Sequence, residues 1–228
     1  MQLDGLRKLL IAMLCVPALS LAATLNGRVV LAGTAPAAKK IDVTIDQYLC
    51  GNQKETQDLV LSARNEVANA VVWLENPPAG ATWPAGENKT TIDQNGCVFV
   101  PRVAIVPVGG TVDFLNSDRL LHNIHASPKL NEAFNRTQPK NRTVPVAFSK
   151  AEIVRVDCDL HAWMTTWVVV APHPYYAVTR ADGQFSFAGL PPGSYRLQIW
   201  HERLGPITRE VVVPAKGDAS VSVEMKLP

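Results

Sequence analysis

The stretch Cys158-Asp159-Leu160-His161-Ala162-Trp163-Met164 constrains this chain more than any other part of it. Successive side chains leave opposite faces of a β-strand, so a strand alone would send Cys158 and His161 apart. A loop joining two strands can turn Cys158, His161 and Met164 towards one point. Upstream, His122-Asn123-Ile124-His125 offers a second imidazole just past a strand ending near Leu115. A thiolate, two imidazoles and a thioether are soft or borderline ligands, and two His and one Cys with a weak axial Met suit a copper ion that passes single electrons. Zinc is the best alternative metal, with Asp157 and Asp159 as further donors, although a thioether is not among its usual ligands.

Such a set needs a rigid scaffold, and the rest of the chain reads as all-β. Runs such as Val71-Val72-Trp73-Leu74, Val103-Ala104-Ile105-Val106, Thr111-Val112-Asp113-Phe114 and Ile153-Val154-Arg155-Val156 are separated by Gly, Pro, Asn and Asp. No stretch keeps a helical period over three turns, and only the surrounds of Leu130 to Phe134 are expected to make a turn of helix. Near the C-terminus, Thr179 to Phe187 holds an Asp182-Gly183 turn before alternating aromatics, which reads as a hairpin.

Arg7 and Lys8 precede an apolar run from Leu9 to Leu21, with Ser20 and Ala22 at the spacing of a cleavage site, so residues 1–22 read as an export signal cut after Ala22. The run falls short of the roughly 20 apolar residues of a spanning helix. A retained N-terminal anchor is the alternative. A periplasmic or otherwise exported protein is expected, with no transmembrane segment after signal removal. Cys15 lies inside the apolar run, leaving Cys50, Cys97 and Cys158, an odd number for an oxidising compartment. If a metal takes Cys158, a Cys50–Cys97 disulfide remains; otherwise Cys158 pairs with one of the other two.

The formal net charge of +2 is no nucleic-acid signature. Lys129 to Arg155 is locally basic, either a solvated loop or a docking site for an acidic partner. Catalytic templates are absent: there is no Gly-x-Ser-x-Gly elbow, no phosphate-binding loop and no His-Glu-x-x-His, so a non-enzyme is expected.

From Phe99-Val100-Pro101 through Val106 to His122-Asn123, and then from Cys158 to Met164, the chain resembles the cupredoxins, the blue-copper electron carriers. Its short Cys-x2-His-x2-Met loop is most similar to that of amicyanin. The resemblance implies a Greek-key β-sandwich in which one copper ion has His122, Cys158 and His161 as equatorial ligands and Met164 as the axial one. It implies that the Asn123 backbone N–H is directed at the Cys158 sulfur, and that His161 with Trp163 forms the electron exit at an apolar docking patch. Gly27-Arg28-Val29, Asn69 to Leu74 and the pair of strands around Gly189 to Trp200 resemble carboxypeptidase regulatory-like modules, the last as a closing hairpin.

The whole resembles methylamine-utilisation-type plastocyanin relatives, which implies His where this chain has Arg102. The expected order is a signal at 1–22, β-strands of the regulatory-like sandwich at 23–90, a cupredoxin-like domain at 91–172 and regulatory-like strands at 173–228. The copper part is either inserted into the second sandwich or followed by it in tandem. His125 joins a neighbouring site or sits on the surface; His173 and His201 are expected at the domain interface. The expected function is one-electron transfer with redox partner proteins such as a cytochrome or a periplasmic dehydrogenase. The alternatives are copper delivery, or a carbohydrate- or protein-binding sandwich with a structural metal.

Overall fold

A computed structural model describes residues 23–228, and the export signal expected at 1–22 lies outside the described residues. The chain enters through β1 (Ala23–Leu31), then makes a small hairpin of β2 (Lys40–Asp42) and β3 (Gln53–Glu55) around one helical turn, α1 (Gln47–Cys50). It continues in β4 (Val71–Leu74), β5 (Lys89–Gln94), β6 (Phe99–Val100), β7 (Val103–Pro107), β8 (Gly110–Asn116) and β9 (His122–Ala126). After these come β10 (Phe134–Gln138), β11 (Thr143–Phe148), β12 (Glu152–Asp157) and β13 (Thr165–Ala171). The C-terminal part holds β14 (Tyr176–Val178), β15 (Gln184–Leu190), β16 (Gly193–His201), β17 (Gly205–Val213) and β18 (Ala219–Met225).

Strands from both ends of the chain share one sandwich. β1 pairs antiparallel with β15 and parallel with β18, while β14-β4-β16-β17 forms the facing sheet. Leu25, Val29, Val72, Phe187, Leu197 and Ile199 fill the space between them. Gly27 lets the Phe185 ring lie directly on the backbone, since a Cβ there would come within 2.0 Å of the ring. Between β4 and β14 the polypeptide leaves this sandwich and builds another, with β10-β9-β12-β13-β7 facing β11-β8-β5-β6 over Ile92, Phe114, Ile124, Phe148 and Val156.

Burial follows the period of two where a sheet has one wet face: in β8, Gly110, Val112, Phe114 and Asn116 point in and the residues between them are partly exposed. In β4 and β13 nearly every residue is buried, because these strands are covered on both sides. Here the two sandwiches meet. Val71, Trp73, Tyr176, Val178 and Trp200 from one pack on Val103, Ile105, Trp167 and Val169 from the other. Trp73 stacks on Tyr176 with centroids 5.5 Å apart, and Trp167 meets Trp200 edge-on at 4.9 Å. Beside this apolar patch lies a largely buried ion pair. Arg102 Nε and Nη2 donate to the two Glu202 oxygens at 2.8 and 2.7 Å, and Nη1 donates to the Thr165 carbonyl at 2.6 Å.

Three expectations are corrected. The segment Lys40–Glu55 does not go with the first sandwich: Val43 and Cys50 lie in the core of the second, Cys50 is disulfide-bonded to Cys97, and Lys54 Nζ donates to the Gly96 carbonyl at 2.7 Å. The Asp182-Gly183 turn is a corner rather than a hairpin, since β14 and β15 belong to different sheets. β15 and β16 are likewise unpaired, since they too belong to different sheets, and the hairpin is β16–β17 instead. Finally, Leu130 to Phe134 forms no helix. The N–H groups of Lys129, Leu130 and Asn131 donate to the Glu152 carboxylate at 2.6 to 3.2 Å instead of entering a helical ladder.

Two predictions follow from these contacts. Removing either side of a buried pair strands the other charge. Arg102→Ala or Glu202→Ala is therefore expected to cost about 3–5 kcal/mol in denaturant unfolding, and the double variant less than the sum; a loss under about 1 kcal/mol would mark a surface-type pair. The second concerns Glu152, whose carboxyl burial alone would push up; the N–H groups of Lys129, Leu130 and Asn131 and the Asn131 amide outweigh burial and hold it below its ordinary 4.5. Its stabilisation is complete above that value and drains away as pH falls through the lower folded one. Glu152→Gln should flatten this acid limb of the pH–stability curve, and an unchanged limb would contradict the assignment.

Candidate metal centre

β9 delivers His122 as its first residue, and the loop between β12 and β13 delivers Cys158, His161 and Met164. The loop closes on itself: the Met164 N–H donates to the His161 carbonyl at 2.8 Å, and the Cys158 N–H to the Met164 carbonyl at 3.1 Å. Asn123 ties the loop to β9. Its Oδ1 accepts the Asp159 N–H at 2.7 Å, while its Nδ2 donates to Asp159 Oδ2 at 2.8 Å and to Asn135 Oδ1 at 2.9 Å. Asp159 also pairs with His125 at 2.8 Å, and this imidazole lowers the Asp159 carboxyl pKa.

These constraints bring three ligand atoms together. His122 Nδ1 and His161 Nδ1 are 3.0 Å apart, and the Cys158 sulfur is 3.8 and 3.6 Å from them. Among the described residues this is the only group of three or more His, Cys, Asp or Glu side chains with metal-holding spacing. All three are buried, and Cys158 is the one free cysteine among the described residues, since Cys50 and Cys97 form a disulfide.

The far side of each ring fixes its tautomer. His122 Nε2 faces Asp118 Oδ2 at 2.9 Å, and His161 Nε2 faces Asp46 Oδ2 at 3.1 Å. A carboxylate accepts, so each Nε2 carries the proton and each Nδ1 is left with a lone pair, the tautomer that a carboxylate-bound ligand histidine adopts. Two lone pairs and a thiol sulfur thus converge in a dry site, where the S–H of Cys158 is the one donor for both Nδ1 atoms. A cation that prefers nitrogen and sulfur fits this donor set once the thiol gives up its proton. Without one, burial pushes the Cys158 thiol pKa up, opposed by the backbone N–H groups of Asn123, Leu160 and His161. Burial also pushes His122 down, partly offset by Asp118. Cys158 and His122 therefore favour their neutral forms in the absence of a cation.

The structure brings His122, Cys158 and His161 together and buries Met164 in the same core. Trp163 lies against His161, with ring centroids 5.2 Å apart, and its Nε1 donates to the Cys97 carbonyl at 2.9 Å. The expected electron exit at His161 is corrected: this residue is 0 % exposed, because Asp46 and its segment cover its edge. His125 is a surface histidine held by Asp159. His201 is buried, with its Nδ1 accepting the Arg203 N–H at 3.2 Å, and His173 packs on Tyr176. The sequence reading missed Asp118 and Asp46. Asp118 stands four residues before His122, a local signal that was available; Asp46 is 115 residues from His161 and gives none.

A carboxypeptidase regulatory-like domain model matches residues 167–226. The match covers most of β13, which belongs to the metal-binding sandwich, and β14 to β18, whereas β1 and β4, which complete the regulatory-like sandwich, lie outside it. No curated protein matches the chain. Among solved structures, the chain is similar to a copper-containing nitrite reductase from Thermus scotoductus at 22% identity, with 43% of this chain and 26% of that one covered and a TM-score of 0.36. The chain thus spans about a quarter of that protein's length. A purple cupredoxin from Nitrosopumilus maritimus is 21% identical over 36% of this chain and 99% of its own, with a TM-score of 0.32. A reduced Cu(I) amicyanin variant is 20% identical over 44% and 98%, with a TM-score of 0.35. At these scores the reading of the site rests on its own geometry.

The clamp on the ligand loop is testable. Asn123→Ala removes three hydrogen bonds made by a buried side chain to exposed partners that water can reach, which is expected to lower stability by about 0.5–1.5 kcal/mol. Thermal unfolding of the metal-free protein checks this, and a midpoint within error of the parent would contradict the clamp.

Proposed function

We propose that this all-β chain, which joins a cupredoxin-like sandwich to a carboxypeptidase regulatory-like domain, is an exported copper protein serving one-electron transfer. His122, Cys158 and His161 would hold one ion, and Met164, buried in the same core, would offer a thioether. The observation that carries this reading is the convergence of two carboxylate-tied imidazoles on a free, buried thiol. Bound copper supplies one reversible electron between Cu(I) and Cu(II).

The residues supply the rest. Asn123 and the Met164–His161 turn keep the ligand loop from relaxing, and the buried surroundings exclude water. A site that changes little between two charge states needs such fixed ligands. The absence of catalytic templates in the sequence and the filled surroundings of the ligands favour a carrier over an enzyme. Its partners would be redox proteins such as a cytochrome or a periplasmic dehydrogenase. Burial of all three ligands argues against ready surrender of the ion, and so against a delivery role.

The test is the absorption and paramagnetic resonance of the copper-loaded protein. An intense sulfur-to-copper band that bleaches with reductant and returns with oxidant is expected, and Cys158→Ser should abolish it. Survival of the band in Cys158→Ser would refute the ligand assignment, and a protein that binds copper without ever showing the band would refute the electron-transfer reading.

A further inference from the structure

The segment from Val43 to Cys50 lies over the ligand loop like a strap. It is anchored at both ends: Val43 is buried in the core of the metal-binding sandwich, and Cys50 is bonded to Cys97. Between them, Asp46 adopts a left-handed backbone at φ 55°, unusual for a residue other than glycine. Its carbonyl accepts the N–H groups of Leu49 and Cys50 at 3.0 and 2.9 Å, and this turn aims its carboxylate at His161 Nε2.

The disulfide also reaches the other imidazole. The Cys97 N–H donates to Asp118 Oδ2 at 2.8 Å and the Gly96 N–H to Asp118 Oδ1 at 2.7 Å, so the carboxylate facing His122 is held by the same turn that holds the strap. The Cys97 carbonyl takes the Trp163 indole N–H, and Trp163 backs the His161 ring. One disulfide thus gathers the supports of both histidines.

We propose that Asp46 is a positioning residue for His161, and that its strap closes the metal site against exchange of the ion. This rests on the reading of the site as a copper centre. Asp46 holds the proton on Nε2, which keeps Nδ1 turned towards the Cys158 sulfur. The carboxylate makes the imidazole a stronger donor, and it occupies the edge through which water or a competing ligand would displace the ring. The strap therefore favours a resident ion in its more highly charged state, and moves any exit for electrons away from the His161 edge.

The test compares Asp46→Gly and Asp46→Asn with the parent. Glycine suits the left-handed backbone, so Asp46→Gly removes the carboxylate without straining the turn, while asparagine tolerates that backbone and keeps an acceptor. In the metal-free protein, long-range proton–nitrogen spectra are expected to show His161 fixed as the Nε2–H tautomer in the parent and in Asp46→Asn, but averaging in Asp46→Gly. In the copper-loaded protein, Asp46→Gly should keep the thiolate band, show a higher reduction potential, and lose copper to excess chelator about 10- to 100-fold faster; Asp46→Asn, which keeps the acceptor but not the charge, should release copper near the parent's rate with a potential between the two.

A fixed tautomer in Asp46→Gly, or release from it at the parent's rate, would overturn the proposal. The two readings fail separately. A parent that gives no thiolate band with copper sinks the copper reading, whereas the metal-free spectra still decide whether Asp46 orients His161.

Discussion

Two imidazole N–H groups are taken by carboxylates, and the character of the buried trio depends on it. Were either Nε2 free, its ring could carry its proton on Nδ1 and satisfy its neighbour by an ordinary hydrogen bond across the 3.0 Å between the rings. With Asp118 and Asp46 in place, both Nδ1 atoms present lone pairs to a sulfur that has no disulfide partner. The weak S–H of Cys158 is then the one proton that two acceptors share. The geometry could hold a metal ion, and the preference of thiolate and imidazole for copper is what the proposed function builds on.

The fold makes the convergence possible by joining distant pieces of chain. β9 and the loop after β12 meet through one antiparallel register contact, Asp157 with His125, and through the Asn123–Asp159 clamp. On the far side, β13 and β7 are backed by the regulatory-like sandwich, whose sheet β14-β4-β16-β17 is buried on both faces where the two units touch. The Arg102–Glu202 pair adds direction to that apolar contact, because a forked guanidinium on a carboxylate fixes orientation as well as distance. The regulatory-like strands thereby stiffen the strand that leaves the ligand loop.

What was legible in the sequence is local. The spacing of Cys158, His161 and Met164 places them on one loop, and the runs Val71 to Leu74 and Thr111 to Phe114 read as strands, which they are. What was hidden depends on contacts far apart in sequence. No local pattern distinguishes a turn that joins paired strands from one that changes sheets, so the corner at Asp182-Gly183 read as a hairpin. The single helical turn at Gln47–Cys50 is too short to show a period, and it exists because the disulfide and the buried Val43 hold it against a neighbouring sandwich. Asp46 reaches His161 only through that arrangement, which is why an exposed ligand edge was expected and a covered one is found.

X-ray absorption at the copper edge of the loaded, reduced protein tests the central claim most directly, because it counts the atoms around the ion without relying on colour or activity. The account predicts one short sulfur and two imidazole nitrogens, with any thioether more distant. A shell of nitrogen and oxygen alone, or one that loses no imidazole scattering in His122→Ala, would contradict it.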